Sequence, residues 1–152
     1  MPAEFPQELL DTNVVSLRDW LAPEELPAEV AISAVMLAEL SAGPRDVRRD
    51  GEQDAYNEHM ERARRLGILQ RTENEFNPLP FDAETARLYG IVCAAVVSVG
   101  RKPRRRLADL MVAATAMAHD LPLFTTNPDD YRGLGGLLDI VPVTRPVVPR
   151  DR

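Results

Sequence analysis

Leu9-Leu10-Asp11-Thr12-Asn13-Val14-Val15 reads as a short strand running into a helix, with Asp11 at the junction. Val14, Val15, Leu17 and Leu21 supply the apolar positions of the helix. The strand-then-helix pattern recurs along the chain. Val30-Ala31-Ile32 is a second β-rich run, and Ser33 is placed to cap a helix through Val35, Met36, Leu37 and Leu40 that ends at Gly43-Pro44. Asp46–Leu66 is long, charged and mostly polar, so an exposed helix closed by Gly67 is expected, with Ile68-Leu69 starting a strand or turn. Prolines keep Asn77-Pro78-Leu79-Pro80-Phe81 extended, and Asp82 can cap a helix over 83–99. Gly100–Arg106 reads as a basic loop. Leu110, Met111, Ala114, Met117 and Ala118 recur at helical spacing in Leu107–His119. Leu123–Thr126 is a strand, Asn127–Asp130 a turn into one helical turn, and Leu138–Val143 a last strand before a Pro/Arg-rich tail. Strands alternating with helices predict a single α/β domain around a mainly parallel sheet of about four to five strands.

Composition sets the outer bounds. The chain has 152 residues, enough for one domain with a full core, and 45% hydrophobic with 28% charged residues excludes general disorder. No apolar run is long enough to span a membrane. Residues 1–7 lack the basic and apolar regions of a signal peptide. Cys93 is the single cysteine, so no internal disulfide or thiolate metal site forms, and a reducing cytoplasm is the expected setting. The formal charge of −6 argues weakly against a nucleic-acid partner, but it hides a split. Residues 1–61 hold 14 acidic and 4 basic side chains, whereas residues 62–152 hold 14 basic and 10 acidic. Five of the basic residues, Arg101, Lys102, Arg104, Arg105 and Arg106, fall in one loop.

In a parallel α/β sheet, functional groups gather at the carboxyl ends of strands and the starts of the following helices. Four places put a polar or acidic residue there: Asp11, Glu39, Asp109, and the group Asn127, Asp129 and Asp130. Each has a plain structural reading. Asp11 can cap the first helix, and Asp109 can complement the dipole of its helix. Glu39, flanked by apolar residues, can be paired with an arginine. Asn127-Pro128-Asp129-Asp130 is turn chemistry in its own right. Together they suggest more, because carboxylates converging without basic partners repel one another unless a divalent cation sits between them. Oxygen ligands without cysteine or paired histidine favour Mg²⁺ or Mn²⁺ over zinc. Phosphodiester chemistry is the usual task of such a site, and the basic loop before Asp109 can hold a polyanionic backbone near it.

Five blocks, in order, resemble the motifs of PIN-domain proteins: Leu9–Val15, Ser33–Leu40, Phe81–Tyr89, Ala108–Ala116 and Thr125–Tyr131. The match spans roughly residues 8–143 and is nearest to the VapC toxins of bacterial toxin–antitoxin pairs. The resemblance implies a three-layer α/β/α fold and an Mg²⁺-dependent endoribonuclease that cuts structured RNA such as tRNA or rRNA. It also implies a VapB antitoxin that covers the site, and a toxin homodimer. Carried over by position, Asp11 and Asp109 match the acids most directly tied to the metal, and Glu39 matches the second acid. Asn127 and Asp130 both match the fourth motif, and either can fill the fourth position. Thr12 and Thr125 are candidate hydrogen-bond donors in the site.

Two other readings stand beside this one. A catalytically silent PIN-like module would bind RNA or a protein without cutting. A small phosphotransfer or phosphatase enzyme would use an Asp nucleophile after the first strand, but no second Asp lies two residues beyond Asp11. His59 and His119 fall at no motif position. Cys93 reads as core, and Trp20 as the end of the first helix.

Overall fold

A computed structural model describes residues 7–25, 29–45 and 55–147. Strands β1 (Gln7–Leu10), β2 (Glu29–Ala31), β3 (Leu123–Thr125) and β4 (Ile140–Pro142) form one parallel sheet in the order β2-β1-β3-β4. Leu9 stands beside Ala31 on one side and Leu123 on the other. The strands are short, and both faces of the sheet are covered, as parallel sheets require.

The two-residue period of the strands divides the core. Leu9, Ala31, Leu123 and Ile140 join a cluster with Val92 and Val96 of α4 (Ala83–Ser98) and Leu110 and Ala114 of α5 (Leu107–Ala118). Their neighbours Leu10, Ile32, Phe124 and Val141 join a second cluster. That cluster is completed by Val14 and Val15 of α1 (Thr12–Ser16), Met36 and Leu40 of α2 (Ala34–Ala42) and Ile68 of α3 (Ala55–Glu75). The result is the expected α/β/α sandwich. α5 is enclosed nearly all round, with five consecutive buried residues from Val112 to Ala116. Its one buried hydroxyl, on Thr115, donates to the Met111 carbonyl at 2.9 Å.

The helix starts follow their capping residues. Ser33 Oγ accepts from the Met36 amide at 3.0 Å, and Asp82 accepts from the amide of Thr85 at 3.0 Å and from its hydroxyl at 2.8 Å. The extended 77–81 segment meets the sheet where Leu79 bridges Ser33.

Three expectations need correction. Gly67 does not close α3, which continues to Glu75, so Ile68-Leu69 is helical and starts no strand. Ile68 is buried against the second core cluster, and Thr72 donates to the Ile68 carbonyl at 2.7 Å. Pairs of Arg62 with Glu58, and of Arg64 and Arg65 with Glu61, hold the preceding turns. These interactions outweigh the ~1 kcal/mol penalty of an interior glycine. The proposed start of this helix at Asp46 lies outside the described residues. Trp20 does not end the first helix: α1 stops at Ser16, and Trp20 sits half-exposed in a separate 3₁₀ turn, Arg18–Trp20. The basic loop is likewise part-ordered, with a 3₁₀ turn at Pro103–Arg106. Cys93 is half-buried and packs against the first cluster. Among the described residues, no single helix is long and apolar enough to cross a membrane.

Candidate active site

The strand order places β1 between β2 and β3, so the connection after β1 leaves to one side while β3 lies on the other. Such a switch point opens a crevice at the carboxyl ends of the strands. Asp11 follows β1 directly and is 2% exposed. Its Oδ1 accepts from the Thr12 amide at 2.8 Å, capping α1, and its Oδ2 accepts from the Thr125 hydroxyl at 2.9 Å. The capping and site readings of Asp11 are therefore compatible: each is served by a different oxygen.

Thr125, fully buried at the end of β3, also accepts from the Asn127 amide through the same hydroxyl oxygen at 3.0 Å. The Asn127 backbone is thereby tied to Asp11 through one side chain. On the opposite flank, the Thr12 hydroxyl donates to Glu39 Oε1 at 2.7 Å. Among the described residues Glu39 has no ion pair with an arginine; a threonine hydroxyl answers its burial instead. Arg64 and Arg65 do line a cavity of about 220 Å³ with Thr12 and Glu39.

Asp109 lies in the first turn of α5, and Asp130 in the 3₁₀ turn Pro128–Tyr131 after β3. Their proximity shows in the acidities. The Asp109 carboxyl is pushed up to about 6, by burial first and then by the charges of Asp11, Asp130 and Glu39, with Arg106 opposing. Burial also raises the Asp11 carboxyl, against the hydrogen bonds from Thr125 and Thr12, with Asp130 adding to the rise. Glu39 is raised by burial, against its Thr12 bond, with a further push from Asp11. Four carboxylates thus sense one another across the strand ends. Asn127 contributes its backbone amide to this network, whereas Asp130 contributes charge.

Tyr131 falls within the fourth motif, but its sequence position carries no sign of a role. It is 2% exposed, and its hydroxyl is buried beside Asp11, with no partner in strict hydrogen-bond geometry among the described residues. Burial, then the charges of Asp11, Asp109 and Asp130, hold it firmly protonated. A donor is therefore kept at the floor of the acid group.

The premise that the acids lack basic partners needs revision. Arg106 forms an ion pair with Asp130 and approaches Asp109 Oδ2 at 3.8 Å. The basic loop divides by partner. Arg101 donates to the Asp129 carbonyl at 2.5 Å and lies 3.4 Å from its carboxylate. Lys102, Arg104 and Arg105 are exposed and make no ion pair among the described residues. Arg101, Lys102, Arg105 and Arg106 line a cavity of about 430 Å³ that reaches Asp130. A basic cleft therefore adjoins the acidic crevice. Among the described residues, no three acidic, histidine or cysteine side chains close on one point as a ready-made metal cage. His119 caps the end of α5, and neither histidine joins the site.

Residues 9–136 match the PIN domain family. Ribonuclease VapC5 of Mycobacterium tuberculosis is 32% identical over 115 residues, 76% of each chain. Ribonuclease VapC1 of Rickettsia felis is 27% identical over 130 residues, 84% of each chain. The crystal structure of VapBC-5, a member of the VapBC family of toxin–antitoxin systems from M. tuberculosis, aligns with a TM-score of 0.72 at 28% identity. That alignment covers 91% of this chain and 98% of the other.

Proposed function

Because the chain belongs to the PIN-domain family, and to its VapC-type members, we propose that it is a metal-dependent endoribonuclease toxin held in check by a VapB-type antitoxin. The observation that carries this reading is the convergence of Asp11, Glu39, Asp109 and Asp130 at the strand ends, next to a basic cleft.

The donor set fits Mg²⁺, or Mn²⁺ in its place: all the side chains are hard oxygen donors. Mg²⁺ usually keeps several waters and takes one or two carboxylates, so two direct ligands from the chain suffice. Asp11 and Asp109 would hold the ion, with Glu39 contributing directly or through water. Asp130, which is charged and coupled to both Asp11 and Asp109, suits the fourth position better than Asn127. When bound, the ion polarises the phosphate and activates water for in-line attack.

The remaining work falls to the chain. Thr12 orients Glu39, and Thr125 orients Asp11, so neither carboxylate must reorganise when substrate arrives. The Tyr131 hydroxyl, held protonated, offers a hydrogen-bond donor beside Asp11. Lys102, Arg104 and Arg105 hold the RNA backbone, and Arg101 buttresses the turn carrying Asp130. The substrate class is structured RNA, tRNA or rRNA, and cleavage stops translation. The protein acts in the cytoplasm as a homodimer within a larger toxin–antitoxin assembly.

Total RNA incubated with the pure protein tests this reading. Cleavage is expected with Mg²⁺, leaving 5′-phosphate and 3′-hydroxyl ends, and is expected to stop with EDTA. RNA binding that persists in EDTA without any cleavage would instead identify a silent binding module.

A further inference from the structure

Arg106 is the one basic side chain among the described residues that touches two of the four carboxylates. It is the last residue of the 3₁₀ turn Pro103–Arg106, immediately before α5, and as the N-cap position of α5 it makes no capping hydrogen bond with its side chain. Its guanidinium instead reaches across to Asp130, in the turn after β3, and stands 3.8 Å from Asp109 Oδ2. The Arg106 side chain is 41% exposed, and among the described residues its ion pairs are with these two acids. It opposes the rise that burial, and then the neighbouring charges, impose on Asp109.

We propose that Arg106 is a built-in counter-cation of the acid site, which occupies Asp130 and faces Asp109 until a divalent ion displaces it. This rests on the metal-site reading above. A guanidinium and a divalent ion drawn to the same small group of carboxylate oxygens repel each other and draw on the same lone pairs, so they compete. The competition has two consequences. It keeps the metal-free site compact, and it weakens metal binding in the absence of RNA. Once displaced, the guanidinium remains on its short tether beside the basic cleft, where a phosphate is the nearest new partner. Arg106 thus acts as a positioning residue, set apart from Arg104 and Arg105, which pair with no acid among the described residues.

Mn²⁺ binding to the full chain without RNA, measured by titration calorimetry or by the electron spin resonance of free Mn²⁺, tests the proposal. Arg106→Gln is expected to bind Mn²⁺ about three- to fivefold more tightly than wild type, the upper end of what a part-exposed ion pair can impose. Arg105→Gln removes the same charge from the same loop and is expected to shift affinity less than about twofold. Asp109→Asn is expected to weaken binding strongly. Unchanged or weaker binding by Arg106→Gln would overturn the proposal, as would an equal gain in Arg105→Gln. If wild type binds no Mn²⁺, or if Asp109→Asn binds as wild type does, the metal-site reading itself fails and the proposal falls with it.

Discussion

Replacing Thr125 with valine keeps the shape and β-branching of a fully buried strand residue and removes only its hydroxyl. Two bonds go with it. The hydroxyl donates to Asp11 Oδ2 at 2.9 Å and accepts from the Asn127 amide at 3.0 Å. A hydrogen bond to a charged group contributes about 1.5–3 kcal/mol, and a buried amide left unpaired costs about 1–3 kcal/mol. Some relaxation is expected, so Thr125→Val should cost about 2–4 kcal/mol. For a domain of this size that is a fall in Tm of roughly 5–15 °C. Thr125→Ser keeps both bonds and loses a methyl group, at about 1 kcal/mol. Urea unfolding without divalent metal is the assay, run in a cycle with Asp11→Asn to extract the coupling. The more apolar variant should be the less stable one, and the Asp11–Thr125 coupling should exceed about 1 kcal/mol. If Thr125→Val matches wild type, or proves more stable than Thr125→Ser, the tie between the β1 and β3 ends does not hold the site together.

Glu8 provides a separate test through pH. It is 3% exposed, its Oε2 has no hydrogen-bond partner among the described residues, and burial pushes its carboxyl up to about 7 from an ordinary 4.5. The folded state therefore binds the proton more tightly than the unfolded chain, and this group's contribution to stability is lost as pH rises from 4.5 through 7. Glu8→Gln should flatten that slope and stabilise the protein at pH 8 by about 1–2 kcal/mol after allowance for solvent screening, as read by urea unfolding across pH. Gly67→Ala should stabilise by about 0.5–1 kcal/mol, since Gly67 lies inside α3 and an added Cβ meets nothing within 4 Å. Gly133→Ala should do the reverse, because φ is +94° there and the Cβ would sit 2.9 Å from Val99 Cγ2; thermal melts of the two variants should move in opposite directions. Replacing Arg104 and Arg105 together by glutamine should reduce the slope of log affinity against log salt for RNA by about 1.4–1.8, or 0.7 (single strand) to 0.9 (duplex) for each phosphate no longer neutralised. An unchanged slope would remove both residues from the RNA surface.

The layered fold was legible because its determinants are local. Leu9 and Leu10 sit on opposite faces of a strand and announce two cores, and Ser33 and Asp82 mark helix starts by their own hydrogen bonds. The course of α3 was not legible. Gly67 is a stop signal by propensity, and only the burial of Ile68 across the fold overrides it. The same division holds at the site. Asp11, Glu39, Asp109 and Asp130 stood out as acids at strand and helix ends. Their connections did not, because a Thr12–Glu39 bond spans 27 residues and the Thr125–Asp11 bond spans 114. Arg106 looked like any other arginine of a basic loop; only the fold brings Asp130 to it. Tyr131 gave no sign because its burial beside Asp11 depends on the path of the turn after β3.

Whether these acids form one metal-dependent nuclease site is decided by Asp109→Asn. Asp109 is half-buried, and its replacement by an amide of the same shape removes charge from a crowded group of like charges. The variant should therefore fold at least as well as wild type and still bind the antitoxin. Its Mg²⁺-dependent cleavage of RNA should fall by about a hundredfold or more. Cleavage at the wild-type rate by a correctly folded Asp109→Asn protein would contradict a single metal-dependent site at these acids.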